Sequence, residues 1–322
     1  MRLTGALSVS ALHIVAYLSF VVLGLPDGML GVAWPSMSAE FSRPLGSLGV
    51  LLLGFTAGYL TTTAAAGPLI QRLDYDRHLL LAAGLMLAGG IGIAFSPGWI
   101  LVIAASAVLG LGAGMLDGGL NAYGAQRFRP RDLNWLHAAY GIGATTGPLV
   151  MTPIVASSLS WRIGYVVFGL CAAAALMAFR LSRRMWVTRE GEQSPQAKSA
   201  GAGDVAGAET GSGDHHAAPE TADREAPEDA AAGKSAAPED AAARGTRTGG
   251  SGVGVVIAGS IIVFFFYTGL EVVAGQWSYT LFTVGRGVEA GRAGPWISTY
   301  WGALTVGRVA FGWISERFRA EQ

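Results

Sequence analysis

The chain has 322 residues, 51% of them hydrophobic and only 14% charged, with a mean hydropathy of +0.42; soluble domains carry about a quarter charged residues, so this composition points to a membrane protein. The 22 basic and 22 acidic residues balance overall, yet the stretch from Glu190 to Gly250 holds 12 of the acidic and 5 of the basic ones, leaving 10 acidic residues and 17 arginines elsewhere. An acidic linker is thus set into a basic membrane body, no part of that distribution marks a nucleic-acid surface, and the single Cys171 excludes an intramolecular disulfide or a cysteine-rich metal site.

Apolar runs near the length that crosses a hydrocarbon core of about 30 Å as helix occur six times before the linker. They are Ala11 to Ala33, Leu45 to Ile70, Leu79 to Phe95, Trp99 to Ala122, Leu133 to Ser158 and Ile163 to Phe179. Two more follow it, Val253 to Ala274 and Pro295 to Ile314. The second and fifth, rich in Gly, Thr and Pro, look least like plain lipid-facing helices. The first run is too long for a cleaved signal, and no small-residue cleavage site follows it.

Basic residues are retained on the cytoplasmic side, so the short loops give the orientation. With the N-terminus inside, 12 arginines fall in cytoplasmic segments, among them Arg72, Arg77, Arg127, Arg183 and Arg317, against 4 outside: Arg43, Arg162, Arg286 and Arg292. Both termini and the linker are therefore expected in the cytoplasm. The chain divides into a six-helix bundle (1–185), a linker (186–250) and a two-helix segment (251–322). The linker repeats Ala-Pro-Glu-Asp-Ala-Ala at Ala226 and Ala237 and has no aromatic residue after Trp186. Such a composition buries too little apolar surface to offset chain entropy, which predicts disorder. His215 and His216 within it, without thiols, make no metal site.

A charge at membrane depth is costly, so each ionisable residue inside a span is a candidate functional site. The strong cases are Asp27, Asp117, Glu271 and Arg308, with His13 and His137 as companions. At 100° per residue His13, Tyr17, Gly24, Asp27 and Gly31 share one stripe of the first helix, and Pro26 frees a backbone carbonyl beside Asp27. On the fourth helix Gly110, Gly114, Asp117 and Asn121 share a stripe on which small residues admit a neighbouring helix and a carboxyl and an amide sit one turn apart. Each carboxyl is read either as a cavity wall that exchanges a proton or as a buried hydrogen-bonding partner that holds helices in register. Glu271, Gln276 and Trp277, one turn and more after Tyr267, form a polar aromatic set suited to a sugar or an amphipathic solute. Arg308 pairs with substrate or, more simply, with a carboxyl such as Glu271.

Other chemistries fail their context. Gly110-x-Gly112-x-Gly114 lies inside an apolar span with no strand before it, so it is no dinucleotide loop. No Walker-type phosphate loop appears, and no nucleophile–base motif of known spacing.

Several segments carry a family resemblance: Leu25-Pro-Asp-Gly-Met-Leu-Gly-Val-Ala-Trp-Pro35, Gly110-Leu-Gly-Ala-Gly-Met-Leu-Asp-Gly-Gly-Leu-Asn121, Leu133-Asn-Trp-Leu-His-Ala-Ala-Tyr-Gly141, Tyr267-Thr-Gly-Leu-Glu-Val-Val-Ala-Gly-Gln-Trp277 and Gly307-Arg-Val-Ala-Phe-Gly312. Together with the six-plus-two arrangement, they resemble the major facilitator superfamily, and within it the fucose permease type of sugar:proton symporter. The resemblance implies an all-α membrane protein of the major facilitator fold, with a complete six-helix N-terminal bundle and the first two helices of the C-terminal bundle. It implies proton coupling and substrate recognition at Asp27 and Asp117, with Asn121 and Asn134 beside the cavity. It also implies a gating loop between helices two and three. Here that loop reads Gly67-Pro-Leu-Ile-Gln-Arg72, with Gln71 where the family has Asp, and with Asp74 and Asp76 close by; Glu316 and Arg317 keep the corresponding acidic–basic pair after helix eight. Twelve helices are the family's number, so about four more spans, roughly 100 residues, are expected from a longer chain or from a partner.

The expected function is proton-coupled uptake of a sugar or similar small polar solute by a secondary transporter, not an enzyme. The expected setting is the bacterial inner membrane, with the lipid bilayer as surroundings and no cofactor, metal or nucleic acid. The alternatives are a proton-antiport exporter of drugs or metabolites and a truncated, non-transporting membrane protein.

Overall fold

The computed structural model describes residues 2–186 and 250–319, and the linker expected at 186–250 lies outside them apart from its two ends. Among the described residues there are eight α-helices and no strand. They are α1 (Arg2–Glu40), α2 (Leu48–Ala64), α3 (Ala66–Phe95), α4 (Trp99–Arg127), α5 (Pro130–Ala156), α6 (Arg162–Ser182), α7 (Gly250–Thr280) and α8 (Ala290–Arg319). The chain divides into two compact units, one made of Met1–Glu192 with Glu271–Gln322, the other of Gln193–Leu270. In the second unit the first part of α7 exposes Ile261, Phe264, Phe265, Phe266 and Leu270, an apolar surface that lipid can cover because the helix satisfies its own backbone.

Among the described residues, six helical segments are long and apolar enough to cross a membrane: Ala11–Glu40, Leu45–Ala64, Ala66–Phe95, Trp99–Arg127, Arg162–Met185 and Ile257–Gly285. The expected span Leu133 to Ser158 is helical as far as Ala156 but falls short of that measure, and the expected span Pro295 to Ile314 is helical, with its side chains described as far as Ala310. For α5 the reason is its surroundings. Helix α5 packs on α1 and α8, so its polar residues, such as Tyr140, Thr145 and Thr152, face protein instead of lipid.

The expected gap between the second and third spans, residues 71–78, is where the chain turns, although the second span is interrupted before it. A break at Ala65 ends α2, but it is slight: the Ala65 amide donates to the Thr61 carbonyl at 3.2 Å and the Leu69 amide to the Ala65 carbonyl at 2.9 Å. Helical bonding therefore runs on into the first turns of α3. The chain reverses at Asp74, whose φ of 60° and ψ of 161° are non-helical, a combination that L residues rarely adopt. Gly67, Arg72 and Asp74, expected in a gating loop, thus sit on a helical stretch and at its end, and all three are exposed.

Short connections make successive helices antiparallel. Within the first unit α1 packs on α5, α2 on α4, and α3 on α4 and α6. Two polar clasps close the ends of this bundle. At one end Glu40 accepts from Arg162 Nη2 at 2.7 Å and Trp161 Nε1 at 2.6 Å, and Arg162 Nη1 reaches the Ala94 carbonyl at 2.8 Å, which ties α1, α6 and α3 together. At the other end the buried Asp76 accepts from Arg183 Nε at 2.5 Å. Beside it Trp186, fully buried, donates to Ser182 Oγ at 2.9 Å and packs on Tyr123 and Phe179. Arg183 is half exposed, which weakens the pair relative to a fully buried one. Asp76→Asn should lower stability by about 1–2 kcal/mol, read as an earlier thermal transition in detergent, with a smaller loss for Arg183→Gln.

Candidate functional site

Close helix contact positions the two carboxyls. A side chain at Gly24 would collide with the Tyr140 carbonyl oxygen, and one at Gly143 with that of Val21. Without side chains there, the α1 and α5 backbones touch, as small residues allow in membrane bundles. That closeness lets the Tyr140 hydroxyl donate to Asp27 Oδ2. Asp27 also lines a cavity of about 30 Å³ with Pro26, Leu30, Phe55, Ser106 and Tyr165, room for one or two waters.

Asp117 is held in the same way on another pair of helices. A side chain at Gly114 would collide with the Tyr59 carbonyl oxygen, and the Tyr59 hydroxyl donates to Asp117 Oδ2 at 2.5 Å. Thr62, at the position matching Gly143, donates to the Leu111 carbonyl at 2.8 Å, as Leu111 matches Val21. Asn121 completes the site, its amide donating to Asp117 Oδ1 at 2.8 Å and to the Asp117 carbonyl at 3.0 Å.

These correspondences share one register. Gly24-Leu25-Pro26-Asp27-Gly28 of α1 matches Gly114-Met115-Leu116-Asp117-Gly118 of α4 at an offset of 90 residues (27 to 117), and Tyr140 of α5 matches Tyr59 of α2 at an offset of 81 (59 to 140). Helices α1 and α4 run in opposite directions, so the halves of the bundle form an inverted repeat, the architecture that places transport sites at a repeat interface near the bilayer midplane. The two carboxyls are counterparts in that repeat.

Glu271 and Arg308 form the ion pair that opposite charges suggested: Arg308 Nη2 donates to both carboxylate oxygens, at 2.7 and 2.6 Å. The Glu271 side chain is largely buried and that of Arg308 is not, while the Tyr300 hydroxyl donates to the Glu271 carbonyl at 3.1 Å. Gln276 and Trp277, adjacent in sequence, go to different surroundings. Gln276 is buried and donates to the Asp27 carbonyl at 2.8 Å, and Trp277 packs half-buried against the apolar core.

The remaining candidates stand apart from the carboxyls. Asn134 and His137 are exposed on the first turns of α5, His137 with its ring edge-on to Phe20. His13 lies 3.6 Å from Asp132 and stacks on Phe128. Glu316 and Arg317 belong to the last turns of α8, beyond the side chains described. No group of three or more His, Cys, Asp or Glu among the described residues is placed to hold a metal, and His215 and His216 lie outside those residues. The sequence reading missed Tyr59 and Tyr140. The repeated Gly-x-x-Asp-Gly was the available signal: it equates two helices and so directs attention to a shared partner for each Asp.

Apolar helices wrapped around paired carboxyls define an integral membrane protein of the transporter type. The chain belongs to the Major Facilitator Superfamily, whose sequence profile matches residues 16–322. It is similar to sodium-dependent glucose transporter 1A of Mus musculus, 26% identical over 139 residues, which span 42% of this chain and 32% of that protein. It is also similar to the glucose/mannose transporter GlcP of Bacillus subtilis, 22% identical over 155 residues, spanning 48% of this chain and 38% of the relative. A crystal structure of the peptide transporter POT in complex with alafosfalin aligns over 62% of this chain and 44% of its own, at 16% identity and a TM-score of 0.47.

Proposed function

We propose that these helices belong to a secondary transporter that takes up a sugar or similar small polar solute together with protons. The observation that carries this reading is the pair of carboxyls at membrane depth, each held by a tyrosine hydroxyl. A hydroxyl both donates and accepts. It can therefore donate to a carboxylate and accept from the protonated acid, so the pairing survives loading and release of a proton and the carboxyl stays in place through the cycle. Asp27 and Asp117 then alternate between protonated and substrate-engaged states as the helix groups tilt. The names of the relatives in mouse and in Bacillus subtilis favour a hexose as the solute.

The aligned parts cover 32% and 38% of those relatives, so the activity is proposed for the whole transporter, with additional helices from a longer chain or a partner. Within it, 1–185 acts as one bundle, 186–250 as a tether and 251–322 as the start of the second, with the termini and the arginine-rich loops on the cytoplasmic side of a bacterial inner membrane.

Sodium coupling is the second reading, favoured by the name of the mouse relative. The test is accumulation of labelled glucose by vesicles carrying the protein purified from its native membrane. An inward proton gradient should drive accumulation without sodium. Accumulation driven by sodium alone supports the second reading, and none under either gradient contradicts both.

A further inference from the structure

Asp27 and Asp117 are counterparts, so a difference between their surroundings locates where the repeat has been broken. Adding the offset of 90 to Gly31 gives Asn121. The side chain that secures Asp117 from its own helix is therefore absent beside Asp27. Helix α7 occupies the space instead: a side chain on Gly31 would lie 2.9 Å from the Gly275 carbonyl oxygen and 3.1 Å from Gln276 Cα. From there the Gln276 amide donates to the Asp27 carbonyl at 2.8 Å, as the Asn121 amide donates to the Asp117 carbonyl at 3.0 Å.

Gln276 is 3% exposed, and its Oε1 meets no hydrogen-bond donor among the described residues. A buried amide with one end unsatisfied is costly. Packing of α7 alone gives no reason to keep a Gln there, whereas the bond to Asp27 does.

We propose that Gln276 is a positioning residue that ties the Asp27 site to α7, doing from the second half of the chain what Asn121 does for Asp117 within α4. Movement of α7 then alters the surroundings of Asp27 and leaves Asp117, secured entirely within the first bundle, unchanged. The two carboxyls divide their work: one reports the relative position of the two halves, the other does not. This rests on the reading of Asp27 as an exchanging carboxyl. The titratable groups facing Asp27 are Tyr140 on α5, Tyr165 on α6, Tyr59 on α2 and Glu271 on α7, the last neutralised by Arg308. None of them is altered by changing Gln276.

The test is infrared titration of the carboxyl bands of the full chain in lipid vesicles, with Asp27→Asn and Asp117→Asn assigning each band. Gln276→Leu, and the milder Gln276→Asn that shortens the reach but keeps an amide, should each move the Asp27 midpoint by about half a pH unit or more and leave that of Asp117 in place. Asn121→Leu should do the reverse. An Asp27 midpoint that Gln276→Asn leaves unmoved, or a shift of both carboxyls alike, overturns the proposal and leaves proton coupling standing. An Asp27 that does not titrate in the unaltered protein overturns both.

Discussion

Replacing Gly24 with leucine should cost about 3 kcal/mol or more of stability and should also release Asp27 from Tyr140. The Gly24 Cα faces backbone, not a flexible side chain: the atoms a Cβ would meet are the Tyr140 carbonyl oxygen and the Ala144 amide nitrogen. A neighbouring side chain can rotate away, but a helix backbone yields only by separating the helices. Separation of α1 from α5 would also break the contacts of Gly28 with Ala144 and of Gly147 with Leu25, so the loss spreads along the interface. Gly84 is the control, since a Cβ there meets nothing within 4 Å. Gly84→Ala in mid-helix should be neutral or stabilise by up to about 1 kcal/mol. Thermal unfolding in one detergent, followed by loss of helicity, compares the two; equal effects would refute the close-contact account of α1 and α5.

Asp27→Asn and Asp117→Asn should each abolish accumulation driven by a proton gradient. An amide has the shape of the protonated acid and can still accept from Tyr140 or Tyr59, so the bundle should fold and both variants should melt near the parent. What the amide loses is the exchangeable proton. Equilibrating exchange of solute across the membrane should therefore survive where accumulation does not. Counterflow of labelled sugar measures the first and gradient-driven uptake the second. Gradient-driven uptake that persists in both variants would remove the carboxyls from the mechanism.

The carboxyls were legible in the sequence because charge stands out in an apolar run, and the Glu271–Arg308 pair because two opposite charges at depth seek each other. The carboxyl partners were not legible. Tyrosine is common in membrane helices, and which tyrosine meets which Asp depends on α1 packing against α5 and α2 against α4, a choice that hydropathy does not encode. His137 shows the converse. A titratable residue in an apolar span invites a role, yet it is exposed near the start of α5, with its ring edge-on to Phe20. Helix ends were legible where polar, Gly or Pro residues interrupted the apolar run, the gap that holds Asp74 included, whereas the break at Ala65 inside the second span was not.

Proton movement on addition of sugar tests the central claim most directly. Vesicles carrying the protein from its native membrane, loaded with a pH-sensitive dye and free of sodium, should acidify inside when glucose is added outside, and should not do so with Asp27→Asn. Sugar entry with no change in internal pH would contradict the account, because the solute would then cross without the proton that the two tyrosine-held carboxyls are proposed to carry.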